Sequence, residues 1–137
     1  GAMLRLTACF GVSLSIIEPC GFPFSQKVLR RSAMDYMDFA KINHHTSYKD
    51  FRDKTSGRVI LLTTKAKKSI WEHSFEGNDT LLVGQESAGV PKYVADDSDY
   101  CLKIPIIERA RSLNVVTAAA IALGEVLRQI RSTSDLH

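Results

Sequence analysis

Leu81-Leu82-Val83-Gly84-Gln85-Glu86-Ser87-Ala88-Gly89-Val90-Pro91 is the stretch on which the fold turns. Its first three residues are apolar without alternation. That pattern reads as a strand, Leu81–Val83, buried on both faces, and such strands belong to parallel sheets covered by helices. The strand runs straight into a loop bounded by Gly84 and Gly89. Glycines in this place either let backbone N–H groups approach a ligand or make a plain tight turn. Spacing excludes three familiar loops. Gly89 is followed by Val90-Pro91, not by the Lys-Ser/Thr of a P-loop. Ser87 stands one place too far from Gly84 for a nucleophile elbow. Gly-x-Gly-x-x-Gly is absent. What remains is a strand, a glycine, an acid at Glu86 and a second glycine.

Working outward, the same grammar repeats. Val59–Leu62 is another continuous apolar run, followed by the polar, basic Thr63–Ser69. Pro91–Val94 suits one helical turn. Cys101–Ile104 reads as a strand stopped by Pro105, and Leu113–Arg131 as a long helix. Toward the front, Gly1–Phe10 reads as a helix with Gly11 as its stop. Val12–Ile17 is β-rich. Ser25 is placed to cap a short basic helix, Gln26–Arg31, and Asp38–Asn43 suits a weak strand. Ser47 caps Tyr48–Lys54, with Asp50 at the third helical position. Ser56-Gly57 is a turn. Strands alternating with helices predict an α/β class with a largely parallel sheet. Residues 1–131 are expected to form a single domain and 132–137 a frayed tail. A doubly wound fold usually opens with a strand, whereas this chain opens inside a helix, so either the fold is unusual or its first strand is missing.

Composition narrows the function classes. The chain has 137 residues, 45% hydrophobic and 24% charged, which excludes a disordered, collagenous or disulfide-scaffold chain. No apolar run approaches the ~18 residues of a membrane span. Gly1–Phe10 lacks the order of a signal peptide. Cys9, Cys20 and Cys101 are odd in number and widely spaced, so free thiols and no metal site are expected. A soluble, cytoplasmic protein follows from these readings. The net charge of +3 permits an anionic partner without requiring one.

Three further features carry chemistry. Ile104-Pro105-Ile106 ends a strand, and Arg109, Arg111, Ser112 and Asn114 then precede a helix. Ser112 or Asn114 is either a simple N-cap or part of a helix terminus offered to a ligand. Arg5, among apolar neighbours, is either a snorkelling surface residue or an anion hook. The last helix carries two apolar stripes: Val116, Ala120, Leu123, Leu127 and Ile130, and Val115, Ala118, Ala119, Ala122 and Val126. A helix apolar nearly all round needs cover on more than one side. A second subunit, giving a homodimer, is the expected cover.

Together these pieces resemble the SPOUT superfamily of RNA methyltransferases. Leu81–Pro91 resembles its second motif. Ile104–Ile106 with Arg111–Val115 and the alanine-rich helix resembles its third. Gly1–Arg5 resembles the end of its first, Asn-x-Gly-Asn-x-x-Arg. One branch is closer still. Ile16-Ile17-Glu18-Pro19, Gly21-Phe22, Lys27, Leu29-Arg30-Arg31, Asp35-Tyr36, His44-His45 and Leu62-Thr63-Thr64-Lys65 are similar to the tRNA wobble-position cytidine/uridine 2′-O-methyltransferases. Two positions depart from the pattern: Ala2 stands for the first-motif asparagine, and Gly124 for a tyrosine of that branch's last helix.

The resemblance implies a Rossmann-like α/β domain whose C-terminal part forms a deep trefoil knot, and an obligate homodimer with the last helix at the interface. It implies S-adenosylmethionine as methyl donor, held by Leu62, Thr63, Gly84, Glu86, Ile104, Ile106, Ser112, Leu113 and Asn114, with the adenine among Leu62, Ile104 and Ile106. It makes Arg5 the catalytic residue acting on a ribose 2′-OH. Guanidinium groups stay protonated and are poor bases. Orienting the ribose and stabilising the developing alkoxide, with a phosphate as proton acceptor, is therefore the expected role. Arg30, Arg31, Lys65 and Arg111, with Lys67, Lys68 and Arg109, would contact tRNA or another RNA. Other outcomes of the same pattern are an RNA-binding module without turnover and an rRNA-directed enzyme.

Overall fold

The computed structural model describes residues 2–18, 41–84 and 89–131. The expectations for Ser25, Gln26–Arg31 and the tail 132–137 lie outside them, as do Cys20, Arg30, Arg31 and Glu86. The chain divides into two compact units, Gly1–Thr55 and Ser56–His137.

In the first unit, α1 (Ala2–Cys9) ends as its sequence dictates. Gly11 takes φ +65°. Its N–H donates to Ala8 C=O at 3.1 Å, and Val12 N–H reaches Thr7 C=O at 2.9 Å. These paired bonds are a Schellman motif, which satisfies carbonyls the helix would otherwise orphan. β1 (Leu14–Ile17) pairs in parallel with β2 (Ile42–His45), from Leu14 with Ile42 to Ile17 with His45. Of the weak strand expected over Asp38–Asn43, residues 38–40 lie outside the described residues, and the strand observed is Ile42–His45. Its β-branched start at Ile42 and its pairing with β1 set the register. α2 (Tyr48–Lys54) begins at the expected cap, where the Ser47 hydroxyl accepts from Asp50 N–H at 3.0 Å.

The second unit holds β3 (Val59–Leu62), β4 (Lys68–Ser69), a 3₁₀ turn (Ile70–Glu72), β5 (Thr80–Leu82), α3 (Lys92–Asp97), β6 (Tyr100–Lys103) and α4 (Val115–Ile130). The strands form one parallel sheet in the order β4-β6-β3-β5. An α/β fold with parallel sheets is therefore observed. β3 is central, and Val59, Ile60 and Leu61 are buried, as a continuous apolar run requires. β5 is different. It starts at Thr80, and of its three residues Leu82 alone is fully buried, because it stands at the end of the strand order. β4 is hidden inside a basic stretch and is too short to show a period. β6 sits between β3 and β4, both of which precede it in the chain.

The core joins Ile60 and Leu102 from the sheet to Ile70 and Phe75 from the β4–β5 connection and Ala122 and Val126 from α4. Gln129 stitches helix to connection: its amide NH₂ donates to His73 C=O at 2.9 Å and its amide oxygen accepts from Phe75 N–H at 2.8 Å. Each apolar stripe of α4 is covered in part inside the single chain: Ala119, Ala122 and Val126 of one and Leu123 and Leu127 of the other are buried, Val115, Val116, Ala118 and Ala120 are half-buried, and Ile130 is exposed. Among the described residues no helix is long and apolar enough to cross a membrane.

Candidate active site

Parallel strands bring their carboxyl ends to one edge, and ligands of open α/β sheets bind outside that edge. Three of the expected site residues sit there. Leu62 closes β3 and pairs with Leu102. Leu61 pairs with Leu82, which puts Gly84, two residues on, level with Thr63. Ile104 immediately follows β6. Thr63 N–H donates to Leu102 C=O at 2.9 Å, extending the ladder one residue past the strand. Leu62 and Ile104 are half-buried and pack against the core cluster, so each offers a partly open apolar face on a fixed base.

The Gly84 position tolerates no side chain. A Cβ there would lie 2.5 Å from the carbonyl carbon of Gly89, 2.8 Å from its oxygen and 2.9 Å from a Val90 methyl. The two ends of the loop close on each other backbone to backbone. Gly89 itself sits at φ +65°, a left-handed conformation that favours glycine. Both glycines of the opening stretch are thus explained by geometry.

The third segment leads into α4. Ile106 and Leu113 are half-buried, while Ser112, Asn114, Arg109 and Arg111 are exposed. Ala110 N–H donates to Ile107 C=O at 3.0 Å in a turn, and Ile107 stands 72% exposed. Asn114, not Ser112, is the N-cap: its side-chain oxygen accepts from Val116 N–H at 2.9 Å and Thr117 N–H at 3.3 Å. That bond gives Asn114 a structural duty whatever else it touches.

The opposite edge of the sheet is locked. Arg58 grips Asp79 with two bonds, Nε to Oδ1 at 2.8 Å and a terminal NH₂ to Oδ2 at 2.7 Å, and reaches Ser74 C=O at 2.9 Å. Asp79 also accepts from Glu76 N–H at 2.7 Å, and its side chain is 1% exposed. Burial works against its charge, but these bonds outweigh burial and hold the carboxyl below the usual carboxylate range. The Asp99 carboxylate accepts from Val59 N–H at 2.7 Å. Polar clamps thus hold the amino edge, while the carboxyl edge presents loops. This is the division of labour that places a site at the latter.

Arg5 is exposed on α1 of the first unit. There too the carboxyl ends of a parallel pair gather polar groups: His44 Nε2 lies 3.4 Å from Glu18, and His45 Nδ1 3.2 Å from Asp50. Lys65 is exposed in the loop leaving β3. Among the described residues no three His, Cys, Asp or Glu side chains gather as a metal site.

Residues 1–124, spanning all three segments, match the SpoU rRNA Methylase family model. The chain belongs to the SpoU methylase family. It is 47% identical over 133 residues to a tRNA (cytidine(34)-2′-O)-methyltransferase from Beijerinckia indica, covering 95% of this chain and 83% of that one. A solved structure concerned with 2-OH methylation of C/U34 on tRNA is 33% identical, with a TM-score of 0.84 over 93% of this chain and 85% of that one. An AdoMet-bound rRNA methyltransferase from Sinorhizobium meliloti, 24% identical, shares the fold, with a TM-score of 0.79 over 96% of this chain and 51% of that one. Within this SpoU methylase, sequence reading passed over Trp71. It stands three residues after Lys68 and is 54% exposed.

Proposed function

We propose that the chain is a tRNA 2′-O-methyltransferase acting on the wobble nucleotide, position 34, with S-adenosylmethionine as methyl donor. The observation that carries this reading is the 47% identity, over 95% of the chain, to an enzyme of that name. The geometry supports it. Leu62 and Ile104 are half-buried on one core cluster and Ile106, two residues on, is half-buried too, apolar surface suited to an adenine, and a side chain at Gly84 would collide with Gly89 and Val90. Thr63 follows β3 at that edge, Ser112, Leu113 and Asn114 lead into α4, and these with Glu86 would supply polar and backbone contacts.

The bound donor supplies a methyl group on a sulfonium, which needs only an in-line nucleophile. The protein's share is to hold the ribose and to favour loss of its 2′-hydroxyl proton. Arg5 does this by orienting the ribose and stabilising the alkoxide, because a guanidinium is a poor base. A substrate phosphate accepts the proton. Arg30, Arg31, Lys65 and Arg111 hold the RNA backbone. Residues 1–131 work as one cytoplasmic catalytic domain, knotted at its C-terminal part and dimeric through α4. The place of β6 between two earlier strands supports the knot. The outward Ile130, 39% exposed, supports a partner at the end of α4.

The test is methylation of unmodified tRNA with labelled donor, followed by mapping of the labelled nucleotide. Label at nucleotide 34, lost in Arg5→Ala, is the expected result. Label in rRNA alone, or RNA binding without transfer, overturns the reading.

A further inference from the structure

Lys65, Lys67 and Lys68 are exposed on the segment that leaves the carboxyl end of β3 and forms β4. Ser69 pairs with Lys103 of β6, bringing a fourth lysine level with this segment at the same edge as Leu62 and Ile104. Immediately beyond, the Ser69 hydroxyl accepts from Trp71 N–H at 3.0 Å and fixes a 3₁₀ turn. Ile70 of that turn is fully buried, while Trp71 is 54% exposed. The turn is therefore anchored from below and presents an indole on a rigid base. Between Thr63 and Glu72 the only acid is Glu72.

An exposed indole costs solvation without repayment from the fold, and the segment that leads into it, with Lys65, Lys67 and Lys68 exposed, favours an anionic partner. Indole faces stack on unpaired bases, and lysines hold the phosphates on either side. A second copy of this chain would bring like charge against like charge here. We propose that Trp71 is a stacking platform for an unpaired RNA base near the methylated nucleotide, with Lys65, Lys67 and Lys68 on the adjoining phosphates. The proposal rests on the RNA-methyltransferase reading and adds to it a binding residue that the motifs do not contain.

The chain has one tryptophan, so its fluorescence reports this site alone. Titration with an unmodified tRNA anticodon stem-loop is expected to quench it saturably. Trp71→Ala is expected to weaken binding at least about fivefold, and Trp71→Phe to retain most of it. Binding of S-adenosylhomocysteine should be unchanged in both, which checks that the variants are folded. If the wild type methylates this RNA with unquenched fluorescence, and Trp71→Ala leaves KM unchanged, the platform is wrong and the enzyme reading stands. Saturable quenching without methyl transfer supports the platform and removes the enzyme reading. Fluorescence that follows protein concentration instead of RNA, with Trp71→Ala shifting the oligomeric state, assigns the face to a second copy and overturns the proposal.

Discussion

A single methyl group added at two glycines has opposite consequences. At Gly84 a Cβ strikes the Gly89 backbone, which cannot swing aside as a flexible side chain would. Gly84→Ala is expected to force the loop open, costing about 1–3 kcal/mol of stability. It should also weaken S-adenosylhomocysteine binding at least tenfold, as read by calorimetry. Gly124 lies in the interior of α4, and a Cβ there meets nothing within 4 Å. Glycine in an exposed helix interior costs about 1 kcal/mol relative to alanine. Gly124→Ala is therefore expected to raise the urea midpoint, and a drop would mean that something outside the chain packs against that face. The value of Gly84 was legible in the sequence as part of a motif. Its reason was not, because the close approach of Gly89 is made in space by a loop that sequence spacing leaves unshaped.

Caps and periodicity carried most of the legible information about elements. Ser47 and Gly11 act through neighbours three to five residues away, and both were read correctly from local sequence. The errors came where long-range pairing decides. β4 is a two-residue strand visible only because β6 arrives beside it. β5 begins at Thr80, whose N–H donates to Arg58 C=O at 2.9 Å. Asn114 is the element-scale case with two readings, cap and cofactor contact. Replacing an N-cap by alanine costs about 1 kcal/mol, while serine keeps the bond. Asn114→Ser is expected to hold the melting temperature within 2–3 °C, roughly what a few tenths of a kcal/mol allows. If the cofactor role is also real, Asn114→Ser should still lose S-adenosylhomocysteine affinity. Unchanged affinity leaves Asn114 a cap and nothing more.

At the scale of the whole molecule, stability should depend on pH through side chains that the proposed chemistry leaves unused, His73 first among them as pH falls. His73 is buried between Phe75, at 4.8 Å between ring centroids, and Tyr100, at 4.7 Å. Neither of its ring nitrogens has a hydrogen-bond partner among the described residues. Burial, and then the charges of Lys68 and Arg58, push its pKa below the ordinary histidine value of 6.5. The unfolded chain therefore takes up this proton first as pH falls. Stability contributed by neutral His73 is fully present above about pH 6.5 and declines as pH drops below it, with a limiting slope of about 1.4 kcal/mol per pH unit for one proton. A second decline belongs to Glu125 and Asp79. Arg128 and then Gln129 hold the Glu125 carboxyl low, and Arg58 chiefly offsets the burial of Asp79. Their stabilisation is present above the unfolded values of 4.5 and 3.8 and is lost as pH falls through the lower folded ones. The two declines separate by substitution. Phenylalanine at 73 keeps the ring packing and removes two unsatisfied nitrogens. His73→Phe is expected to be as stable as wild type or more so at pH 7.5. It should flatten the urea midpoint between pH 6.5 and 5, while leaving the decline below pH 4.5 in place. A wild-type slope that survives unchanged in His73→Phe would assign the first decline to another group and leave the buried imidazole a packing residue alone.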